Sequence, residues 1–145
     1  MKKITVIYWS GTGNTQKMAD AVAQGVAETG VDVKVLPVDK ASKDDVLNAD
    51  AVAFGCPAMG DEVLEETEME PFIKALEGED LSTIPLVLFG SYDWGDGQWM
   101  REWVARMNAQ GAKLVEEGLI TQNTPDKSIL VKCREIGVKL ASATV

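Results

Sequence analysis

The amino-acid sequence predicts an α/β fold, in which a five-stranded parallel sheet of strand order 2-1-3-4-5 is doubly wound by helices on both faces. Short apolar runs alternate along the chain with segments whose apolar residues recur at helical spacing. The third and fourth runs are apolar on both faces, as expected of strands inside a parallel sheet. No repeat or low-complexity segment interrupts the pattern, so we expect residues 1–145 to form a single domain.

The predicted elements follow one another in the order that right-handed crossovers require. The predicted strands lie at 4–9, 33–38, 51–56, 86–90 and, with a small interruption at 116–118, at 113–121. A helical pattern follows the first, third and fourth strands and closes the chain. Gly30 offers a left-handed stop to the first helix, and residues 44–47 make at most a short helix.

Local chemistry predicts where two helices start and what fills the core. Thr67 and Glu70 have the spacing of a capping box, and Thr124-Pro125 indicates the start of the last helix. Trp99 and Trp103 belong to the helix after the fourth strand, and we expect both to fill the core or a groove instead of contacting a ligand.

The charge balance narrows the range of partners. The chain carries 23 acidic and 14 basic residues, a formal net charge of −9. Nucleic acid and anionic membranes are therefore poor partners, whereas a basic protein surface is a good one. No apolar run approaches ~18 residues and no signal-peptide pattern is present. We expect a soluble, cytoplasmic monomer.

The residues that could support metal or nucleophilic chemistry are few. Only Cys56 and Cys133 are present, each inside an apolar pattern, and there is no histidine. These counts argue against a disulfide framework, a zinc site, an iron–sulfur cluster and Ser-His-Asp or Cys-His catalysis. Cys56 is expected to be a small buried residue and not a redox thiol.

The loop after the first strand, Ser10-Gly11-Thr12-Gly13-Asn14-Thr15, predicts an anion site. Backbone N–H groups at such a strand-to-helix junction point to one place, and the hydroxyl and amide side chains add donors. A Walker A loop is excluded because no lysine follows Gly13, and the dinucleotide fingerprint fails because its third glycine position is Gln16. The expected anion is a phosphate.

Two further loops are unusual, and all three should meet at the carboxyl edge of the sheet. They are Pro57-Ala58-Met59-Gly60-Asp61-Glu62 after the third strand and Ser91-Tyr92-Asp93-Trp94-Gly95-Asp96-Gly97 after the fourth. Met59 can cover an apolar face and Glu62 can accept from a ring N–H. Trp94 has no evident folding role among glycines and aspartates. The combination indicates a flat aromatic ligand between Met59 and Trp94.

These motifs resemble the short-chain flavodoxins, particularly the clostridial kind. The motifs are Tyr8 to Thr15, Met59 to Glu62 and Ser91 to Gly97, and the resemblance covers nearly the whole chain. It implies a flavodoxin-like fold, FMN as cofactor and one-electron transfer between the semiquinone and hydroquinone of FMN. It also implies basic redox-partner proteins, and no catalysis on a substrate of its own.

The resemblance also assigns roles to residues. Ser10 to Thr15 would hold the phosphate, Trp94 and Met59 would cover the two ring faces, and Glu62 would accept from the imide N–H. Backbone groups near Asp93, Trp94 and Gly95 would contact the pyrimidine edge. The full set of expected cofactor-binding residues is Ser10, Gly11, Thr12, Gly13, Asn14, Thr15, Pro57, Ala58, Met59, Gly60, Asp61, Glu62, Ser91, Tyr92, Asp93, Trp94, Gly95 and Asp96, with no catalytic or metal-binding residue.

Two local features set the expected redox behaviour. Gly60 lacks a Cβ, so its peptide can turn its carbonyl toward the flavin N5. The phosphate loop holds no Lys or Arg, and carboxylates occupy the neighbouring loops, which disfavours an anionic ring. Asp93 departs from the glycine that clostridial relatives often carry and adds one more carboxylate.

Two rival interpretations share this topology, and the second of them fails. An FMN-dependent NAD(P)H:quinone reductase shares the fold, but it needs room for a second substrate where Met59 and Trp94 are expected to close both ring faces. A signalling receiver domain needs an aspartate at the end of the third strand, which here ends in Gly55-Cys56-Pro57.

Overall fold

The computed structural model describes residues 2–144. Its elements, in chain order, are β1 (Lys3–Tyr8), α1 (Asn14–Glu28), β2 (Asp32–Pro37), a 3-10 turn (Val38–Lys40), α2 (Lys43–Leu47), β3 (Ala51–Gly55), α3 (Met69–Ala75), β4 (Pro85–Tyr92), α4 (Gln98–Ala109), β5 (Lys113–Leu114), β6 (Leu119–Gln122) and α5 (Lys127–Ser142). Within residues 2–144, no helix combines the length and the apolar composition needed to cross a bilayer.

All strand pairs within the sheet are parallel, and the predicted order is confirmed as β2-β1-β3-β4-β5. The predicted interruption of the fifth strand divides it into β5 and β6, and both pair with β4. Residues 115–118 lie between those two pairings, opposite only 87–88 of β4. The chain bulges there, and Gly118 packs so closely on α4 that an added Cβ would lie 2.4 Å from Met100 Cγ.

The core occupies both faces of the sheet, because side chains of each strand alternate between them. In β1, Ile4 and Val6 pack toward α1 and α5, whereas Ile7 packs toward α3 and α4. Trp99 and Trp103 are each 2% exposed on the latter side, so their expected core role is confirmed.

Helices α1 and α5 approach backbone to backbone. A Cβ added at Gly25 would lie 2.0 Å from the Arg134 carbonyl oxygen, and one at Gly137 would lie 2.2 Å from the Val22 carbonyl oxygen. Glycine is therefore required at both crossing points. This packing fixes α1, and with it the loop that precedes α1.

The prediction of a capping box at Thr67 and Glu70 is wrong. Helix α3 begins only at Met69, and the buried carboxylate of Glu65 caps it by accepting from the Met69 N–H at 3.0 Å. Thr67 instead donates its N–H and hydroxyl to the same carboxylate. Glu70 forms a bidentate pair with Arg106, with both N···O distances at 2.7 Å.

Two other boundaries differ from the predictions. Helix α5 is capped by Asp126, whose Oδ1 accepts from the Ile129 N–H at 2.9 Å, so Thr124-Pro125 precedes the cap. Strand β4 continues through Ser91 and Tyr92, because β6 pairs with both residues. The loop after β4 is thus shorter than expected.

Candidate functional site

The three unusual loops lie together at the carboxyl edge of the sheet. Thr15, at the end of the first loop, and Ser91, near the end of β4, share a hydrogen bond between their hydroxyls at 3.0 Å. The Ser91 carbonyl also accepts from the Ala58 N–H at 3.0 Å. Ser91 therefore ties the segments that follow β1 and β3 to β4.

The first loop leaves the N-terminus of α1 open. Its N-cap is Gly13, with φ of 96°, which offers no side chain to the helix, and the first turn of α1 carries no acidic residue. Ser10 shapes the turn, since its hydroxyl oxygen accepts from the N–H groups of Gly13 at 3.1 Å and Gln16 at 3.3 Å. Gly11 and Thr12 are exposed. Ser10 thus engages the N–H of Gln16 in the first turn, while the start of a 15-residue helix still presents partial positive charge and N–H donors, which favours an anion.

Thr15 differs from the other loop residues because it is 1% exposed. Its hydroxyl faces Ser91, and one hydroxyl can donate one hydrogen bond while accepting another. Thr15 can therefore direct its proton to an anion in the loop only when Ser91 donates to Thr15.

Residues 59–63 form a tight hairpin. Met59 and Val63 exchange backbone hydrogen bonds at 2.8 and 2.9 Å, which leaves Gly60, Asp61 and Glu62 at the tip. Gly60 has φ of 50° and an exposed backbone, and Asp61 is also exposed. Glu62 has φ of 56°, which is uncommon for a residue with a side chain and requires compensating contacts.

The Glu62 carboxylate supplies those contacts. It is 8% exposed, and its Oε1 accepts from the N–H groups of Asp96, Gly97 and Gln98, each at 3.2 Å, at the start of α4. Gly95 lies so close that an added Cβ would be 2.3 Å from Oε1. No hydrogen bond to Oε2 is formed within residues 2–144. Oε1 thus joins the hairpin to the loop after β4, and Oε2 can still accept a hydrogen bond from a ligand.

The loop after β4 exposes a large aromatic side chain. Trp94 is 61% exposed, in contrast to the buried Trp99 and Trp103. Tyr92 is half-buried and packs on Trp99, with ring centroids 5.5 Å apart, so its contacts are structural. Trp94 is therefore the aromatic of this loop that is free to cover a ligand.

The two carboxylates of this loop are exposed and differ in their partners. The backbone carbonyl of Asp93 accepts a hydrogen bond from the Gln122 side-chain amide at 3.1 Å, so this contact leaves the exposed Asp93 carboxylate unused. Asp96 pairs with Arg101 at 2.9 Å, and that hydrogen bond and charge hold the pKa of Asp96 below its ordinary value. Asp96 consequently adds less net negative charge to the edge than Asp93.

The Cys56 side chain lies behind the hairpin. Its Sγ accepts from the Glu65 N–H at 3.4 Å, and burial raises the pKa of the thiol to about 12. Cys56 is fully buried, so its expected role as a small buried residue is confirmed. Within residues 2–144, no group of three or more His, Cys, Asp or Glu side chains is placed to hold a metal ion.

Residues outside the expected set also shape this edge. The Trp9 indole packs under Gly11, and its Nε1 donates to Glu68 Oε1 at 3.1 Å. Glu65 organises the chain between the hairpin and α3. Six of the ten residues from 61 to 70 are acidic, so the sequence offers no signal for which of them turn inward.

Comparison with known proteins identifies the family. The family model described as flavodoxin matches residues 6–137. The flavodoxin of Clostridium beijerinckii is 50% identical over 137 residues, 94% of this chain and 98% of that protein. The flavodoxin of Megasphaera elsdenii is 38% identical over 140 residues, 97% of this chain and 99% of that protein. The solution structure of the two-electron reduced Megasphaera elsdenii flavodoxin matches with a TM-score of 0.87 and 37% identity, covering 96% of this chain and 98% of that one.

Proposed function

Since the chain belongs to the flavodoxin family, it is an FMN-binding electron carrier, and we propose that the three loops at the carboxyl edge of its sheet hold the cofactor. The proposed binding residues are Ser10 to Thr15, Pro57 to Glu62 and Ser91 to Asp96. The observation that carries the proposal is Trp94, an indole 61% exposed to solvent and next in sequence to Gly95, which lies against the buried Glu62 carboxylate. Such exposure is unfavourable for folding alone and suits stacking on a flat ring.

The donor set fits both ends of FMN. The start of α1, with the side chains of Ser10, Thr12 and Asn14, offers donors to a phosphate, and the loop from Ser10 to Thr15 contains no cationic side chain. The free Oε2 of Glu62 offers an acceptor to the imide N–H of the ring. The start of α1 thus offers hydrogen-bond donors, which suit the phosphate of FMN, and Glu62 offers an acceptor, which suits the imide N–H of the ring.

Bound FMN supplies the redox chemistry by accepting and releasing single electrons. The protein's own residues set how readily this happens. Asp61 and Asp93 are exposed carboxylates in the loops proposed to surround the ring, and they disfavour negative charge there. Gly60 has no side chain and open space around its Cα, so its peptide can reorient at little cost. We expect a strongly reducing carrier.

The negative charge of the molecule also indicates which protein surfaces it can bind. With a formal net charge of −9, the molecule should dock on basic surfaces of redox proteins, and docking should weaken as salt is added. We further propose a monomer in the cytoplasm, where the two unpaired cysteines would stay reduced. Sedimentation tests the monomeric state, and cell fractionation tests the cytoplasmic location.

An anaerobic, stepwise reductive titration of the purified protein tests the function. We expect FMN absorption bands and two separate one-electron steps. Absence of flavin that cannot be reconstituted would refute the proposed site. A single two-electron step accompanied by NAD(P)H oxidation would favour a reductase instead.

A further inference from the structure

We propose that Glu68 and Trp9 form a strut that positions the phosphate loop, so that Glu68 is a positioning residue for phosphate binding although it lies outside that loop. The inference rests on the proposed function of Ser10–Thr15. Its central observation is the hydrogen bond from Trp9 Nε1 to Glu68 Oε1 at 3.1 Å, across 59 residues of sequence.

The Trp9 ring supports the loop directly. Its Cη2 and Cζ3 atoms lie 3.1 and 3.2 Å from where a Cβ of Gly11 would be, so the indole packs against the backbone at the loop's exposed tip. The backbone of Trp9 is itself fixed, because its N–H donates to the Gly55 carbonyl at 3.0 Å and so extends the pairing of β1 with β3. The ring also packs against the core on the α3 and α4 side of the sheet, and Nε1 is its polar atom, held by Glu68.

Glu68 provides a fixed anchor for that point. It is the N-cap residue of α3, its N–H donates to Glu65 Oε1 at 2.7 Å, and its carbonyl accepts from the Phe72 N–H at 3.2 Å. The side chain is half-buried, so solvent competes only partly for the carboxylate. The strut therefore connects the loop after β1 to a rigid helix start after β3.

The negative charge of Glu68 affects phosphate binding separately from its hydrogen bond to Trp9. A carboxylate close to a phosphate-binding loop repels a phosphate, so the charge itself weakens binding. Glutamine can keep an acceptor oxygen for Nε1 without that charge. The hydrogen bond and the charge should therefore have opposite effects on phosphate affinity, and substitutions can separate them.

The test compares dissociation constants for FMN and for riboflavin, which lacks the phosphate, on the flavin-free full-length chain. The variants are Trp9→Phe, Glu68→Ala, Glu68→Gln and the Trp9→Phe/Glu68→Ala pair. Glu66→Ala is the matched control, since Glu66 is an exposed carboxylate of the same segment. Flavin fluorescence quenching reports both affinities.

Loss of one hydrogen bond of this kind should weaken FMN binding about two- to fivefold in Glu68→Ala. Trp9→Phe also removes the ring atoms that pack on Gly11, so it should weaken FMN binding at least as much. Riboflavin binding should be unchanged, and the double variant should be no weaker than Trp9→Phe. Glu68→Gln should bind FMN at least as tightly as the parent, and Glu66→Ala should match the parent.

Equal weakening of FMN and riboflavin, additive losses in the double variant, or unchanged FMN affinity in both single variants would overturn the strut. Failure of the parent chain to bind FMN would instead refute the proposed function on which the strut rests.

Discussion

Glu62→Gln tests whether one carboxylate serves both the protein and the cofactor. Oε1 of Glu62 accepts three N–H groups from the start of α4, while Oε2 is proposed to accept the ring imide N–H. Glutamine has a single acceptor oxygen, so it can satisfy one of these sets but not both. The substitution should therefore weaken both the fold and the cofactor complex.

The size of the first effect follows from the geometry. Charge-assisted hydrogen bonds are about twice as strong as neutral ones, but these three share one oxygen at 3.2 Å, which is long. A carboxylate at a partly buried helix start contributes up to ~2 kcal/mol. We expect the flavin-free chain to lose about 2 kcal/mol of unfolding free energy, which lowers Tm by about 4–8 °C.

The size of the second effect follows from an unsatisfied donor. If the substituted glutamine keeps its side-chain oxygen on α4, its NH2 group faces the imide N–H, and a buried donor without a partner costs about 1–3 kcal/mol. FMN and riboflavin affinity should both fall about 5- to 150-fold.

Thermal unfolding and fluorescence titration of the variant measure the two effects, with Glu66→Gln as the matched neutralisation of an exposed carboxylate. A Tm equal to that of Glu66→Gln would refute the helix-start contribution. Unchanged flavin affinity would show that Oε2 does not face the ring.

Three further predictions concern single residues of the same edge. Gly60→Ala should bring the two one-electron potentials of the bound flavin closer together, because a side chain at φ of 50° hinders peptide reorientation; an unchanged redox titration would count against this. Asp93→Asn should raise the potential of the second step by on the order of 35 mV, for a carboxylate about 10 Å from the ring at an effective dielectric of about 40; a fall would show that Asp93 points away. Desolvation raises the pKa of Glu65, but hydrogen bonds from Thr67, Met69 and Glu68 outweigh it and hold that pKa below the ordinary 4.5. The stability that Glu65 contributes is then complete above pH 4.5 and is lost as pH falls toward the folded pKa. Glu65→Gln should lower the urea midpoint at neutral pH and make it less sensitive to acid, and an equally steep acid dependence would contradict the assignment.

The sequence predicted the order of the strands because the hydrophobic pattern records burial directly. Runs apolar on both faces became β3 and β4 at the centre of the sheet, and the charged break at 116–118 became the bulge between β5 and β6. Parallel strands bring their carboxyl ends to one edge, so the meeting of the three loops also followed from the sequence.

The tertiary structure decided which polar groups face which donors. Glu62, Glu65 and Glu68 belong to a run of similar acids, and only the positions of α3, α4 and Trp9 determine that each one accepts a different set of N–H groups. The predicted helix starts at Thr67 and Thr124 failed for the same reason, because an N-cap is chosen by the donors within reach and not by residue type alone. Local sequence thus determined where the elements and loops lie, whereas the directions of their hydrogen bonds depended on contacts between segments distant in the chain.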